Sequence, residues 1–321
     1  MPIADPLAAG TAENRCVFHA ISSANYRYSH QARHVQTYIR LIPPAEHGGQ
    51  RLIGKRLRVA PLSHYDIPDT TDRWGNTLSE VRHDQLEEFL TIIADLKVST
   101  VGLYSSEGLL IPTPATPRDA VYAERRLFGE FTDRTRPNAD LERVARELCG
   151  HDRISPSLDE AALFPVDDDP FEFATRVAAR VHSEMTFLTG STNVGTTASE
   201  AWNKRSGVCQ DFTHIALALF RLSGVPARYV SGFVPGEGVT HAWVEVMLPR
   251  PGEVQPDQSV AAWYGIDPTY NKWRTEQYIS VAVGRDYGDV TPVSGTYFSG
   301  GASRLTYGTK VELVTKETVL V

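Results

Sequence analysis

The chain has 321 residues, which is enough for two domains, and it carries a formal net charge of −7 at pH 7. Because the chain is acidic and has no run of basic residues, we expect neither nucleic acid nor an anionic membrane surface as a partner. No apolar stretch approaches the roughly 20 residues of a transmembrane helix, and segment 1–13 lacks the pattern of a secretory signal, so we expect neither. The three cysteines, Cys16, Cys149 and Cys209, have no paired metal spacing and predict a reduced, cytoplasmic protein with a free thiol.

The first third of the chain predicts an antiparallel β domain. Residues Leu90–Val98 alternate between apolar and polar side chains, with the period of two that is typical of a half-buried strand. The segment Asp72–Asn76 carries the residues of a hairpin turn. Several prolines between 112 and 117 interrupt any regular element there. We therefore predict a β domain over 1–112, which we interpret as a scaffold, and a second domain over 113–321.

The second domain begins with predicted helices. Asp169–Glu172 is a capping box with proline at the first helical position, and Thr197 with Glu200 opens a shorter helix that carries Trp202. Cys209 then begins a strongly apolar helix that ends at a Gly-Val-Pro turn. The spacing of the apolar residues in this helix predicts that one stripe of it faces a core.

Three strands follow this helix, at Arg228–Val234, Thr240–Leu248 and Ala261–Asp267. In the second strand the residues that alternate with His241 are apolar, so we expect them to form the buried face. His241 and Trp243 share the opposite face. The second domain is thus predicted to combine helices with an antiparallel sheet.

Cys209, His241 and Asp267 stand in the order of a nucleophile, a base and an orienting carboxylate. A thiol is strongly nucleophilic only as the thiolate, which the positive end of a helix dipole favours. An adjacent imidazole takes the thiol proton and later gives one to a leaving group, while a carboxylate on its other nitrogen fixes the tautomer. Taken one by one, these residues also fit a packed core, because most cysteines and histidines have no catalytic role.

Several segments of the sequence closely resemble the transglutaminase-like superfamily, and its bacterial branch in particular. They are Gly207–His214, Gly224–Phe233, His241–Val246, Asp267–Thr269 and Val281–Pro292. The turn at 72–76 resembles the N-terminal β region of that branch, so the resemblance covers most of residues 20–105 and 170–300. It implies an α+β fold with a papain-like catalytic core, in which the cysteine helix packs on an antiparallel sheet, preceded by an antiparallel β domain.

By position, the resemblance makes Cys209 the nucleophile, His241 the base and Asp267 the orienting carboxylate. It implies acyl transfer through a thioester on Cys209, which we expect to be peptide or amide hydrolysis. The alternatives are a transglutaminase or amide synthase that uses a primary amine, or a non-catalytic peptide-binding module. We expect no cofactor and no metal, because nothing resembles a calcium loop and a zinc site at Cys209, His214 and His241 would lack a fourth ligand.

Three residues near the nucleophile are further candidates. Gln210 follows it and either lines the oxyanion pocket through its amide or lies on the surface. Trp202 either walls the cleft and lends an N–H donor or packs between helices. Trp243 shares the face of His241, so we expect it to wall the substrate groove. The bacterial branch usually reads Asp-Pro-Thr-Asn, whereas here Tyr270 precedes the asparagine.

Overall fold

The structure is a computed structural model that describes residues 12–62, 68–102, 118–150, 169–249 and 261–320. The first strands are β1 (Ala12–Tyr28), β2 (Ala32–Ile39), β3 (Glu46–His47), β4 (Gln50–Ala60), β5 (Asp69–Thr71), β6 (Thr77–Leu86) and β7 (Phe89–Val101). The next elements are α1 (Arg118–Gly129), α2 (Ala139–Cys149), α3 (Pro170–Glu184), β8 (Thr186–Phe187), α4 (Ala198–Lys204), β9 (Ser206–Gly207) and α5 (Cys209–Leu222). The last are β10 (Ala227–Phe233), β11 (His241–Pro249), β12 (Ala261–Asp267), β13 (Lys272–Trp273), β14 (Ile279–Gly284), α6 (Tyr287–Val290), β15 (Val293–Phe298) and β16 (Ser303–Leu320).

Two antiparallel sheets form a sandwich around the N-terminal core. Their strand orders are β16-β1-β7-β4-β3 and β15-β2-β6-β5. The alternation predicted for Leu90–Val98 is confirmed in β7, where every second residue from Leu90 is buried. The predicted turn joins β5 to β6, and the Asp72 carboxylate holds it by accepting the N–H groups of Trp74 at 2.9 Å and Asn76 at 3.0 Å.

The last two strands of the chain return to this sandwich. Strand β15 pairs with β2, and β16 pairs with β1 along almost its whole length. The predicted second domain, 113–321, includes these two strands, which pair with the sheets of the sandwich. Its predicted start near Pro112 lies outside the described residues. A strand pattern alone does not say which sheet it joins, because pairing partners distant in sequence supply that information.

The helices and strands β10 to β14 form the other layer of the molecule. An antiparallel sheet of order β13-β12-β11-β10-β14 carries α5 on one face, and α2, α3 and α4 pack around that helix. Every residue of α5 from Gln210 to Leu222 is buried. The single buried stripe expected from the sequence is thus corrected, because α5 lies between the sheet and three other helices.

The sandwich covers the other face of this sheet. Phe233, Ile279 and Val281, from β10 and β14, belong to the same apolar core as the sandwich strands. Every residue of β11 from His241 to Leu248 is consequently buried. A strand covered on both faces has no solvent side, so the alternating pattern predicted for β11 does not separate an inner from an outer face.

Two side-chain amides of the sandwich close the free edge of β14. The amide of Gln50 donates to the carbonyl of Ser280 and accepts its N–H, both at 2.7 Å. The amide of Asn76 does the same to Val283, at 2.8 Å and 2.7 Å. Each amide therefore takes the place of one residue of a neighbouring strand, and the outer strand of the sheet is hydrogen bonded without a further strand beside it.

A buried carboxylate also joins the two layers. Glu245 on β11 is 3% exposed, and its Oε2 lies 2.7 Å from Nη2 of Arg228. Its Oε1 lies 2.9 Å from Nε2 of His47, a residue of the sandwich. Burial alone would raise the pKa of Glu245, but the charges of His47 and Arg228 hold this pKa well below its usual range.

Candidate active site

The first turn of α5 holds Cys209 in a fixed position. Asp211 reaches back from the third helical residue, and its Oδ2 accepts the N–H of Val208 at 2.8 Å and the hydroxyl of Thr192 at 2.6 Å. A Cβ atom at Gly207 would lie 2.5 Å from that same oxygen, so only glycine fits there. Burial raises the pKa of Asp211 while these hydrogen bonds lower it. The carboxylate thus caps the helix that presents the thiol.

His241 begins β11 and lies against the thiol. Its Nε2 donates to Oδ2 of Asp267 at 2.7 Å, and Cys209 is near enough to the ring to raise its pKa. Because Nε2 donates its hydrogen bond to the carboxylate, Nδ1 is the ring nitrogen that is left to face the sulfur. Burial by itself lowers the pKa of His241, but hydrogen bonds and charges from Asp267 and Cys209 raise it to about 10. The imidazole is therefore held as the imidazolium at neutral pH.

Asp267 ends β12 and is fully buried. Its Oδ1 accepts the N–H groups of Thr269 at 2.8 Å and Tyr270 at 3.2 Å. Its Oδ2 accepts Nε2 of His241 and the hydroxyl of Tyr278, each at 2.7 Å. Both carboxylate oxygens are therefore fixed, which orients the imidazole toward the thiol.

Three aromatic rings surround the imidazole of His241. Tyr270 stacks on it with ring centroids 5.3 Å apart and an interplanar angle of 28°, and Trp243 does so at 6.2 Å and 26°. Tyr278 meets it edge-on at 6.2 Å. Tyr270 is 45% exposed and donates its hydroxyl to the carboxylate of Glu237. These rings separate the His241–Asp267 hydrogen bond from solvent, which strengthens it.

Comparisons with known proteins give the chain a family. Residues 162–268 match the family model of the transglutaminase-like superfamily, and residues 22–99 match that of the bacterial transglutaminase-like N-terminal region. Uncharacterized proteins of Mycobacterium tuberculosis and Mycobacterium bovis are 32% identical to the chain over 292 residues, which are 85% of either length. The chain belongs to the transglutaminase-like superfamily.

A solved structure shares the fold of this superfamily member. The crystal structure of a candidate cysteine protease from Cytophaga hutchinsonii is similar with a TM-score of 0.67 and 16% identity, over 95% of this chain and 93% of that one. The α+β fold predicted from the sequence is thereby confirmed, with its cysteine helix packed on an antiparallel sheet. Membership of the transglutaminase-like superfamily supports cysteine-based catalysis in general.

The sequence offered three further candidates near the nucleophile, Gln210, Trp202 and Trp243. Trp243 is fully buried beside His241 and Tyr278, so the expectation that it walls an open groove is corrected. Trp202 is 1% exposed and packs in the helical core beneath Arg205, whose guanidinium lies 3.8 Å from the ring centroid. Gln210 follows Cys209 in the first turn and is 8% exposed. Its contribution to an oxyanion pocket stays a prediction.

His214 and its neighbours form a buried polar cluster behind the cysteine helix. The N–H of Tyr287 donates to Nε2 of His214 at 3.2 Å, and burial lowers the pKa of this histidine to about 3. Its ring is therefore neutral. Nearby, Nε of Arg285 lies 3.0 Å from Oδ2 of Asp289.

Neither of the other two cysteines is part of this arrangement. Cys16 and Cys149 are buried, and burial raises the pKa of each. Within the part of the chain that the structure describes, histidine, cysteine and acidic residues form no group of three placed to hold a metal ion. Among the same residues, no helix is both long and apolar enough to cross a membrane.

The sequence reasoning missed Tyr270 and Tyr278 as parts of the site. Tyr270 was noticed only as an interruption of the Asp-Pro-Thr-Asn pattern, and that interruption places its ring on the imidazole. Tyr278 lies 11 residues beyond Asp267, immediately before β14. Its signal in the sequence is limited to one tyrosine before an apolar strand, which has no specific meaning without the fold.

Proposed function

We propose that this protein is a cysteine-dependent hydrolase that cleaves an amide bond in a peptide or protein through a thioester on Cys209. The proposal depends on one observation: Nε2 of His241 donates to Asp267 at 2.7 Å, and the pKa of the same imidazole is raised by Cys209, which begins α5. An imidazolium beside a thiol favours the thiolate, and the helix dipole favours it further. A group of this kind attacks carbonyl carbon atoms.

The proposed reaction has two halves. In the first, the Cys209 thiolate attacks the amide carbonyl and forms a C–S bond, and the resulting tetrahedral oxyanion collapses with cleavage of the C–N bond. The leaving amine takes the proton of His241, which becomes neutral. In the second half, neutral His241 takes a proton from water as its oxygen attacks the thioester. The carboxylic acid is released when the C–S bond breaks, and the thiolate–imidazolium pair is restored.

The start of α5 supplies donors for the oxyanion. The first N–H groups of a helix have no partner within it, and those of Cys209 and Gln210 belong to this first turn. Asp211 occupies the N–H of Val208 instead, so the capping bond leaves the helical donors available. We therefore assign oxyanion binding to the backbone of the first turn, with the Gln210 side chain as an additional candidate.

A peptide or protein is the proposed acyl donor because exposed apolar side chains flank both catalytic elements. Phe187 pairs with Gly207, and Leu188 donates its N–H to the carbonyl of Gly207 at 2.8 Å, two residues before the nucleophile. Phe187 is 51% exposed and Leu188 is 52% exposed. Val239, which is 47% exposed, precedes His241 by two residues. Apolar side chains of an extended peptide would be buried against these residues on binding.

Trapping of the acyl-enzyme tests the proposal. We expect intact-mass analysis of the protein with a peptide library to show an adduct on Cys209 that decays to free acid, and that Cys209→Ala abolishes. Cys149→Ala is the matched control, because that thiol is buried and has a raised pKa. Alkylation by iodoacetamide should be faster at Cys209 than at Cys16 or Cys149. Equal rates at the three thiols would refute an activated nucleophile.

The same experiment, repeated with a primary amine, separates the two acyl acceptors. If the adduct is released as an amide in preference to the acid, the protein is a transglutaminase or amide synthase instead. If peptides bind without any adduct, it is a non-catalytic binding module. We propose the cytoplasm as its location, because its three cysteines are widely spread in the sequence and all three are free thiols.

A further inference from the structure

A side chain from outside the proposed triad, that of Tyr278, contacts the carboxylate of Asp267. The hydroxyl oxygen of Tyr278 lies 2.7 Å from Oδ2 of Asp267, the same oxygen that accepts Nε2 of His241 at 2.7 Å. A hydrogen bond to a charged carboxylate is among the stronger ones in a protein. The two donors therefore share one acceptor atom, and each affects the bond of the other.

Packing fixes the ring of Tyr278 in this position. The residue is fully buried, and its ring meets that of Trp243 edge-on with centroids 5.1 Å apart and an interplanar angle of 85°. Its backbone N–H donates to the carbonyl of Thr275 at 3.3 Å, just before β14 begins. A ring held on its edges and at its backbone cannot turn its hydroxyl away from Asp267 without repacking the core.

The phenol of Tyr278 is protonated at neutral pH and is therefore a hydrogen-bond donor. Burial, the charge of Asp267 and the hydrogen bond to it raise the pKa of Tyr278 far above its usual value. An ionised carboxylate only accepts hydrogen bonds, so the proton lies on the Tyr278 oxygen and points at Oδ2. The direction of this O–H dipole is thereby fixed.

The fixed dipole acts on the imidazolium across the shared oxygen. Its positive end lies at Oδ2 and so opposes the positive charge of His241, which faces the same atom. The hydroxyl thus has two effects: it orients Asp267, and it weakens the hold of Asp267 on the imidazolium proton. A less basic imidazole gives its proton more readily to a leaving amine.

We propose that Tyr278 is a positioning residue that acts through Asp267 and keeps the His241 imidazolium acidic enough to protonate the leaving group. The proposal rests on the proposed function, because it assigns that proton to the acyl-transfer reaction. It concerns the pH range over which the thiolate–imidazolium pair exists, a property that alkylation of Cys209 reports without a substrate.

The test is the pH profile of Cys209 alkylation by iodoacetate in wild type and in Tyr278→Phe. Iodoacetate is negatively charged, so its reaction with the thiolate is faster while His241 is protonated and slower after the proton is lost. Loss of the hydroxyl dipole should move this upper limb to higher pH by about one unit, which is the size of one charge-assisted hydrogen bond. Tyr28→Phe, which removes a hydroxyl from a half-buried tyrosine of the sandwich, is the matched control and should match wild type.

A variant of the same volume tests the opposite direction. Replacement of Tyr278 by 3-fluorotyrosine gives a more acidic phenol and a stronger donor, so the upper limb should move to lower pH. The 3-fluorotyrosine variant also tests the proposal if Tyr278→Phe does not fold. A purely structural hydroxyl would leave the upper limb in place in the folded variants, and that result would overturn the proposal.

Failure of the proposed function has a different signature. If Cys209 of the wild type reacts no faster than Cys16 and Cys149 and its profile has no upper limb, the thiolate–imidazolium pair does not exist. The role of Tyr278 then falls together with the triad. A normal wild-type profile that Tyr278→Phe leaves unchanged overturns only the role of Tyr278.

Discussion

Replacing Asp267 with asparagine removes the negative charge that Nε2 of His241 faces at 2.7 Å. Burial lowers the pKa of His241, whereas the bonds to Asp267 and Cys209 raise it from 6.5 to about 10. The folded protein therefore binds this proton more tightly than the unfolded chain. The resulting stabilisation is complete below pH 6.5 and is lost as the pH rises from 6.5 through about 10. It amounts to roughly 5 kcal/mol at most.

The assay is urea unfolding from about pH 6 to about pH 10, performed in a Cys209→Ala background so that the thiol does not titrate. Without the sulfur, only Asp267 raises the pKa of His241. The free energy of unfolding of Cys209→Ala should therefore fall by on the order of 3 kcal/mol across this range. The Cys209→Ala/Asp267→Asn double variant should lose much less, because burial then dominates and holds the imidazole neutral. The other histidines titrate in both proteins, so their contribution cancels in the difference.

If the free energy of unfolding depends on pH equally in Cys209→Ala and in the Cys209→Ala/Asp267→Asn double variant, the reasoning is refuted. Equal dependence would mean that Asp267 does not hold the proton of His241. A slope of the opposite sign in Cys209→Ala would refute it as well. In the Cys209 protein, Asp267→Asn should also lower kcat/KM by about 10²–10⁴, as expected when the imidazole loses its orienting carboxylate.

Three further predictions follow from other parts of the structure. Gly207→Ala places a Cβ atom 2.5 Å from Oδ2 of Asp211; displacement of this cap should slow iodoacetamide alkylation of the nucleophile roughly fivefold. Leu188→Ser should lower kcat/KM roughly tenfold for peptides with bulky apolar side chains, whereas Ile53→Ser, with the same 52% exposure, should leave it unchanged. Glu245→Gln leaves Arg228 and the fully buried Arg274, whose Nη1 lies 3.8 Å from Oε1 of Glu245, without their counter-charge and should destabilise the protein by about 3–5 kcal/mol in urea unfolding.

The residues with the strongest local signals were predicted at their observed places. The cysteine helix begins at Cys209, and the third strand of its domain ends at Asp267, as the sequence indicated. The capping box at Thr197 is also present, and at Asp169 the carboxylate caps its helix by accepting the N–H groups of Phe171 and Glu172, because a cap is decided by residues within one helical turn. The catalytic roles of the triad stay a prediction, although the hydrogen bond between His241 and Asp267 is one that the chemistry requires.

Features that depend on contacts distant in sequence could not be predicted. Trp243 is buried against Val230, Val234, Tyr278 and Val283, and nothing near Trp243 in the sequence encodes these contacts. Tyr278 reaches Asp267 only because the chain crosses from β13, at one edge of the sheet, to β14 at the opposite edge. Hydrophobic alternation indicates which side chains are buried in a strand but not what covers them.

The amides of Gln50 and Asn76 make the two layers dependent on each other for solubility. They satisfy the outer edge of β14 at Ser280 and Val283, and both come from the sandwich. A fragment that contained only the catalytic layer would expose this edge as a template for pairing with other chains, which is a common route to aggregation. The sandwich thus protects the edge of this sheet, and we expect a fragment without the sandwich to be less soluble than the whole chain.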